Sequence, residues 1–429
     1  MTTKLKRSPG TLRLYPHYRI MLLIYGLFLL VAFIVSTPGE IAAGLSRLIT
    51  SRSVLISDYV AIGGIGATLV NAALVGLFTM TFLLLGKIRP NGSTIMGLFL
   101  STGFAFFGKN IFNMLPITAG VWLFARVKKH PFRDMSLSAM LSATLCPVVS
   151  EFSFIPEVGQ PLGAILGVGM GILIGFIFTP VSSSLLRAHS GFCLYNMGFA
   201  GGMIGSLIVS VIRGMGMKIE TVLYWSSDYQ LLFAALLYGL SLLLILCGFL
   251  DQAEPGETWR RFKKIHTHTG RLVTDYYHLY GNATYINMGV FCAFTTTLLL
   301  VLGGDLNGPT VGSILSITGF GAFGKHLRNA TPLLAGAVLA TYINQWDPMS
   351  PVNTLAILFS TCNAPIAGQF GWLWGIVAGF LHVSLAHWVG NLNGGLNLYN
   401  NGFTGGIVAL VMVPVILSFY KRKEHSDGV

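Results

Sequence analysis

Polar and apolar residues in this chain fall into blocks, and the blocks are long. The stretch 20–35 carries no charge and follows Lys4, Lys6, Arg7, Arg13 and Arg19. It predicts a first membrane-spanning helix with a cytoplasmic start, retained because the Ser-Thr-Pro-Gly-Glu after it lacks a small-x-small cleavage pattern and further spans follow. Runs near 62–86, 161–181, 231–250, 286–303, 371–389 and 405–419 are also long enough to cross a bilayer. Between them lie shorter apolar pieces at 94–107, 111–127, 137–149, 310–323, 332–343 and 354–367, broken by Gly, Pro and Asn. Pieces this short predict re-entrant or half-length helices, whose exposed backbone is tolerated at membrane depth only beside protein or a cavity.

The blocks repeat. Thr102-Gly103-Phe104, Phe107-Gly108-Lys109, Asn113, Pro116 and Ala119-Gly120 recur as Thr318-Gly319-Phe320, Phe323-Gly324-Lys325, Asn329, Pro332 and Ala335-Gly336, at a constant offset of 216. Asn91-Gly92-x-Thr94 and Cys146 obey the same offset, matching Asn307-Gly308-x-Thr310 and Cys362. Further on, Leu194-Tyr195-Asn196-x-Gly198-Phe199-x-Gly201-Gly202 recurs as Leu398-Tyr399-Asn400-x-Gly402-Phe403-x-Gly405-Gly406 at an offset of 204. The second copy is therefore twelve residues shorter, and the missing residues correspond to 151–160.

Composition and charge extend this picture. With 53% hydrophobic and only 10% charged residues, the chain lies far from soluble domains, which carry about a quarter charged residues. The net charge of +12 is gathered between apolar runs, as in cytoplasmic loops beside an anionic leaflet, so it implies no nucleic-acid partner. The five cysteines lie in apolar stretches and read as reduced packing residues. The basic segment 251–284, with Arg260, Arg261, Lys263, Lys264 and Arg271, divides the chain, and Lys421, Arg422 and Lys423 mark the tail; both read as cytoplasmic. The expected organisation is a segment 1–60 with the first helix and an external loop, a first repeat 61–250, a linker 251–284, a second repeat 285–420 and a tail 421–429. One repeat then begins outside and the other inside, an inverted arrangement. For Lys87, Arg89, Arg126, Lys128, Lys129 and Arg133 all to be cytoplasmic, the chain around Lys109 must turn back as a hairpin.

Candidate chemistry sits at the breaks. Lys109 and Lys325 each follow a glycine at the end of a short apolar piece; an ammonium in the membrane faces a cavity, a counter-charge or a substrate, unless it snorkels to the interface. Thr102 and Thr318, in the repeated string before each lysine, and Asn110, Asn113, His326, Arg328 and Asn329 extend the polar break, more cationic in the second copy and suited to a small anion. Tyr195, Asn196, Tyr399 and Asn400 offer amides and phenols beside glycines that also serve helix packing. Glu151 stands where the second copy has Ala367; it is a proton-coupling group, a partner for Lys109, or a loop residue outside the membrane. His189, His382 and His387 come without metal-ligand spacing, and no cofactor is implied.

The Phe-Gly-Lys and Leu-Tyr-Asn-x-Gly-Phe-x-Gly-Gly motifs, spread over nearly the whole chain, resemble those of a bacterial membrane-protein family known as a domain of unknown function, which implies no substrate. Tyr-Asn-x-Gly in each of two repeats is also similar to elements of urea-transporter-like channels, a resemblance that implies inverted halves and a homo-oligomer; Lys109 and Lys325 have no counterpart in that pattern and argue against a neutral substrate. The expectation is an all-α polytopic protein of the inner membrane with about ten crossing helices plus re-entrant pieces in two inverted repeats. It is expected to act as a transporter or channel for a small polar solute, an anion among the candidates, with the lipid bilayer as its other partner. The alternatives are a membrane-embedded enzyme, for which no nucleophile-base pair, metal spacing or carboxylate dyad stands out, and a membrane scaffold or receptor component.

Overall fold

The computed structural model describes residues 16–155, 158–250, 254–272 and 274–419. The basic residues Lys4, Lys6, Arg7, Arg13, Lys421, Arg422 and Lys423 lie outside the described residues. Among those described the protein is all-helical, and the only β pairing is two isolated bridges, Ser57 with Tyr224 and Asp275 with Phe323. Among the described residues nine helical stretches are long and apolar enough to cross a membrane. Seven coincide with the long apolar blocks: Pro16–Val35, Ile65–Leu85, Leu162–Ala188, Gln230–Phe249, Ala283–Val301, Trp372–Leu392 and Asn400–Phe419. The other two were not predicted as spans. Asn196–Gly214 opens on the glycine-rich motif, whose polar first turn breaks the apolar run. Phe132–Ser153 is assembled from short helical and 3-10 turns, so neither length nor period announces it. Leu23, Leu30, Phe33 and Ile34 on the first helix, and Leu231, Leu242 and Leu246 on Gln230–Phe249, are exposed, as befits helix faces turned to lipid.

Helices that the repeat equates pack in equivalent ways. Pro16–Val35 lies on Ile65–Leu85 as Gln230–Phe249 lies on Ala283–Val301, and Ile111–Val127 lies on Leu162–Ala188 as Leu327–Ile343 lies on Trp372–Leu392. The last two contacts depend on glycine. A Cβ on Gly120 would stand 2.1 Å from the Ile172 carbonyl oxygen, and one on Gly336 would stand 1.9 Å from that of Ile376. The twelve-residue difference between the copies falls where Leu162–Ala188 and the loop before it are longer than Trp372–Leu392 and the single Gly371 before it.

At the centre the half-helices Gly92–Phe104 and Gly308–Phe320 pack on each other. Gly103 meets Gly312, and Gly319 meets Met96. Residues 103 and 319 are repeat equivalents, as are 96 and 312, so the pair is antiparallel and self-complementary about a pseudo-two-fold.

Hydrogen bonds between loops define two ends of the molecule. At one end Tyr18 donates to the Ile88 carbonyl, Gly92 N–H to Asp275, Leu272 N–H to the Gly191 carbonyl and Tyr276 N–H to the Ala322 carbonyl. At the other, Tyr59 N–H donates to the Phe106 carbonyl, and Ser226 and Gly308 N–H donate to Asp58. Gly92–Phe104 therefore runs from the Asp275 end to the Asp58 end. Ile111–Val127 comes back, since it lies alongside Leu162–Ala188 in the same direction, with Pro116 against Gly171, Gly120 against Gly175 and the Phe124 ring 5.4 Å from Phe176. The chain around Lys109 is a splayed hairpin, and Lys87, Arg89, Arg126, Lys128, Lys129 and Arg133 share one end with the linker. Within the linker, Pro255–Ile265 and Tyr276–Tyr280 are helical.

Candidate functional site

Each break is built by the same local chemistry. Asn91 caps Gly92–Phe104 by accepting from Thr94 N–H at 2.9 Å, while the Thr94 hydroxyl accepts from Asn91 N–H at 3.0 Å. The helix stops in a turn where Gly108 takes φ +97°, and Lys109 N–H closes it on the Phe104 carbonyl at 3.1 Å. Asn110 then caps Ile111–Val127 reciprocally with Asn113, whose amide also donates to the Gly108 carbonyl at 2.9 Å. The second copy repeats every step with Asn307, Thr310, Gly324 at φ +93°, Lys325, His326 and Asn329. Asn110, Asn113, His326 and Asn329 thus serve as caps, supplying partners that helix ends lack.

Two residues that sequence reasoning passed over hold the breaks in place. Asn71 donates to the carbonyls of Ala105 and Lys109 at 2.8 and 2.9 Å, and Asn287 to those of Gly321 and Lys325 at 2.7 and 2.8 Å. They obey the offset of 216 and were findable by the repeat search. Asp58 and Asp275 are a second such pair, offset by 217, so one inserted residue hid them. Asp58 caps Tyr59–Gly63 and accepts from Gly308 N–H at 3.1 Å, the first residue of the other copy's half-helix. Asp275 caps Tyr276–Tyr280 and accepts from Gly92 N–H at 2.9 Å. Burial pushes the Asp58 carboxyl up to about 6, against the opposing pull of the Ser226, Val60 and Gly308 amides.

Both lysines are fully buried, and the hydrogen-bond partners of each are neutral oxygens. Lys109 Nζ donates to the Ser101 hydroxyl at 3.0 Å and the Met140 carbonyl at 3.4 Å. Lys325 Nζ donates to Thr361 at 2.7 Å and to the Tyr195 hydroxyl, and lies 4.2 Å from the Tyr195 ring centre and 5.0 Å from that of Phe320. Around the two-fold, Tyr195 and Tyr399 approach with ring centres 4.3 Å apart, flanked by Phe320 at 4.9 Å from Tyr195 and Phe104 at 5.1 Å from Tyr399. The geometry of the rings is two-fold, but the bonding is not. Tyr195 is engaged by Lys325, whereas the buried Tyr399 hydroxyl has no partner among the described residues.

The remaining sequence candidates lie elsewhere. Thr102 accepts from Tyr25 at 3.1 Å and bonds back to its own helix at Leu98, and Thr318 bonds back to Ile314. Asn196 joins the Ser182 carbonyl and His189, both at 3.0 Å, and Asn400 accepts from Asn393 at 2.6 Å. Glu151 is not a partner of Lys109. Its carboxylate is paired in two-pronged fashion with Arg52, with Arg52 Nε at 2.8 Å. Among the described residues no group of three or more His, Cys, Asp or Glu is gathered that could hold a metal.

Two cavities flank the core, one at each end. One of about 570 Å³ at the Asp58 end is lined by Arg52, Glu151, Phe152, Ile155, Lys218 and Glu220, among others. The other, about 390 Å³ at the Asp275 end, is lined by His266, His268, His326, Arg328, Gln369 and Trp372, with Ala367 and Gly368 behind them. His268, Ala367 and Gly368 are the repeat equivalents of Arg52, Glu151 and Phe152 at the offset of 216, so the cavities are related by the pseudo-two-fold. Burial lowers the His266 pKa, the Phe262 carbonyl raises it and the nearby Arg328 guanidinium lowers it further.

No curated protein and no solved structure matches the chain. A family model described as "Protein of unknown function (DUF1576)" matches residues 37–214 and 254–418, most of its length, and the chain belongs to that family.

Proposed function

We propose that this protein is a transporter or channel that carries a small anionic solute across the inner membrane, along a pathway between two inverted repeats that passes Lys109 and Lys325. The observation that carries the reading is the pair of buried lysines at repeat-related breaks whose hydrogen-bond partners, among the described residues, are neutral oxygens. A cation taken into a membrane interior is costly without compensation, and a passing anion would supply it. The antiparallel packing of Gly92–Phe104 on Gly308–Phe320 supports inversion, since equivalent helices that cross in opposite directions imply an axis in the membrane plane. The clustering of Lys87, Arg89, Arg126, Lys128, Lys129 and Arg133 at the linker end supports a cytoplasmic linker and cytoplasmic termini. The two cavities lie at opposite ends, and the one at the Asp275 end is lined by His326 and Asn329 of the second break.

The test is flux in proteoliposomes with a panel of labelled small anions and neutral solutes, with and without a pH gradient. Lys109→Met and Lys325→Met should each abolish uptake of the solute that the native protein carries, while both variants elute and unfold as the native protein does. Uptake that persists in both folded variants would remove the lysines from the pathway.

A further inference from the structure

The two cavities are equivalent in position and unlike in charge, one balanced and one cationic. In the Asp58-end cavity the lining cations are matched: Arg52 is paired with Glu151, and Lys218 is accompanied by Glu220. In the Asp275-end cavity the position of Glu151 is Ala367, and the position of the apolar Phe112 is Arg328. Among the described residues no Asp or Glu lines it. Arg328 is exposed and makes no hydrogen bond or ion pair to the described residues, so its guanidinium fork is available. Its neighbours cannot serve in its place. His326 is spent as a cap, accepting from Asn329 N–H at Nδ1 and donating from Nε2 to the His268 carbonyl at 2.9 Å. His266 donates from Nδ1 to the Phe262 carbonyl at 3.2 Å, and its ring centre lies 5.1 Å from that of His326.

We infer that this cavity is a recognition site for a small organic oxyanion, a carboxylate above all, held by Arg328 with His266 beside it. Three features select this class. A guanidinium reads carboxylate and phosphate oxygens two at a time, which a spherical halide cannot exploit. A volume of about 390 Å³ falls in the range of small-molecule sites, roughly 300–1,000 Å³, and exceeds what a bare ion needs. The walls combine Trp372 and Phe370 with Thr267 and Gln369, an apolar surface for a ligand body beside groups that can orient it. The inference rests on the transport reading for its purpose, as the loading site on the linker side, and the absence of any matching excess of cations in the other cavity gives the pathway a polarity.

The test is equilibrium binding of radiolabelled benzoate to the detergent-purified full chain. Saturable binding is expected, with Arg328→Gln raising Kd at least tenfold, Arg328→Lys raising it less because the charge remains without the fork, and Lys218→Gln, in the opposite cavity, leaving it unchanged. Inorganic phosphate should displace benzoate and chloride should not. No saturable binding to the native chain, native-like binding by Arg328→Gln, or displacement by chloride as effective as by phosphate would each overturn the assignment. Arg328 lies on the surface, so loss of fold does not confuse the result. Arg328-dependent binding with no flux of any solute in proteoliposomes would uphold the site and sink the transport reading; flux with benzoate binding indifferent to Arg328 would do the reverse.

Discussion

Replacing Asn71 by Leu tests how the breaks are held. The carbonyls of Ala105 and Lys109 lie past the end of Gly92–Phe104, where no following turn can supply donors, and the Asn71 amide is the donor that reaches each of them. Leucine keeps the volume roughly and removes both hydrogen bonds. Two estimates bound the cost. Hydrogen bonds between helices in membranes average about 0.6 kcal/mol each with a maximum near 1.7, which gives about 1–3 kcal/mol for the pair. Burying acceptors left without donors costs about 1–3 kcal/mol each, which gives about 2–6 kcal/mol. The bonds to Asn71 are 2.8 and 2.9 Å and buried, so a value where the two ranges overlap, about 2–3 kcal/mol, is expected. The assay is reversible unfolding titrated with SDS in mixed micelles, comparing Asn71→Leu, Asn287→Leu and the double variant. The two single losses should agree, because Asn287 makes the equivalent bonds at 2.7 and 2.8 Å, and they should add, because the sites are separate. Thr79→Val is the control: its hydroxyl bonds only to Val75 of its own helix, so it should cost under about 0.5 kcal/mol. If Asn71→Leu falls within the range of that control, the break is held by something other than the asparagine amide and the account of it is wrong.

Two other perturbations probe the contact between the copies. Gly103→Ala would place a methyl 2.4 Å from the Gly312 carbonyl oxygen, and overpacking against backbone should destabilise by about 1–3 kcal/mol; Gly26→Ala, where a Cβ meets nothing within 4 Å, should not, and equal behaviour of the two in the SDS titration would refute the close approach. Asp58→Ala and Asp275→Ala each remove a cap together with a bond into the other copy, so losses of at least the roughly 0.5–2 kcal/mol of an ordinary cap are expected. Limited proteolysis should then cut first around the half-helix on the far side of each carboxylate, and cleavage confined to the mutated loop would show that no cross-copy link was lost.

The parts of this structure that were legible in the sequence are those encoded by block length and by repetition. Seven spans could be read from apolar runs alone, and the hairpin at Lys109 followed from the placement of basic residues, because both signals are additive along a segment. Phe132–Ser153 failed to announce itself since Arg133, Asp134 and Pro147 interrupt its apolar run, and a helix assembled from pieces has no single period. The site was only half legible. Type and spacing located the breaks, but they could not tell a lining amide from a capping amide, and Asn110, Asn113 and Asn329 turned out to satisfy backbone. Glu151 was recognised as unusual, yet its partner Arg52 lies 99 positions away, a distance that no local pattern reports. Asp58 and Asp275 were missed for the opposite reason: a search at one fixed offset cannot see a pair displaced by a single insertion.

The asymmetry within this symmetric scaffold follows a physical rule. Groups that satisfy or free the backbone are mostly the same in both copies: Asn71 and Asn287, Asn113 and Asn329, Asp58 and Asp275, Gly108 and Gly324; the exception, Asn110 against His326, changes the residue and keeps the cap. Each answers a demand set by chain geometry, and two copies of one fold make the same demand. Groups that answer the ammonium are different. Ser101, the partner of Lys109, corresponds to Ile317, and Thr361, the partner of Lys325, corresponds to Leu145. A buried charge needs polar oxygens but not any particular backbone origin for them, so each copy supplies its own, one from the half-helix beside the lysine and one from the turn Ser360–Asn363. Tyr195 and Tyr399 then differ in consequence, since only one of two equivalent phenols is claimed. Two lysines held by different partners are not energetically interchangeable, and neither are the two cavities at opposite ends of the molecule, one charge-balanced and one cationic. Pseudo-symmetry in this protein therefore extends as far as the backbone, and the chemistry laid over it has a direction.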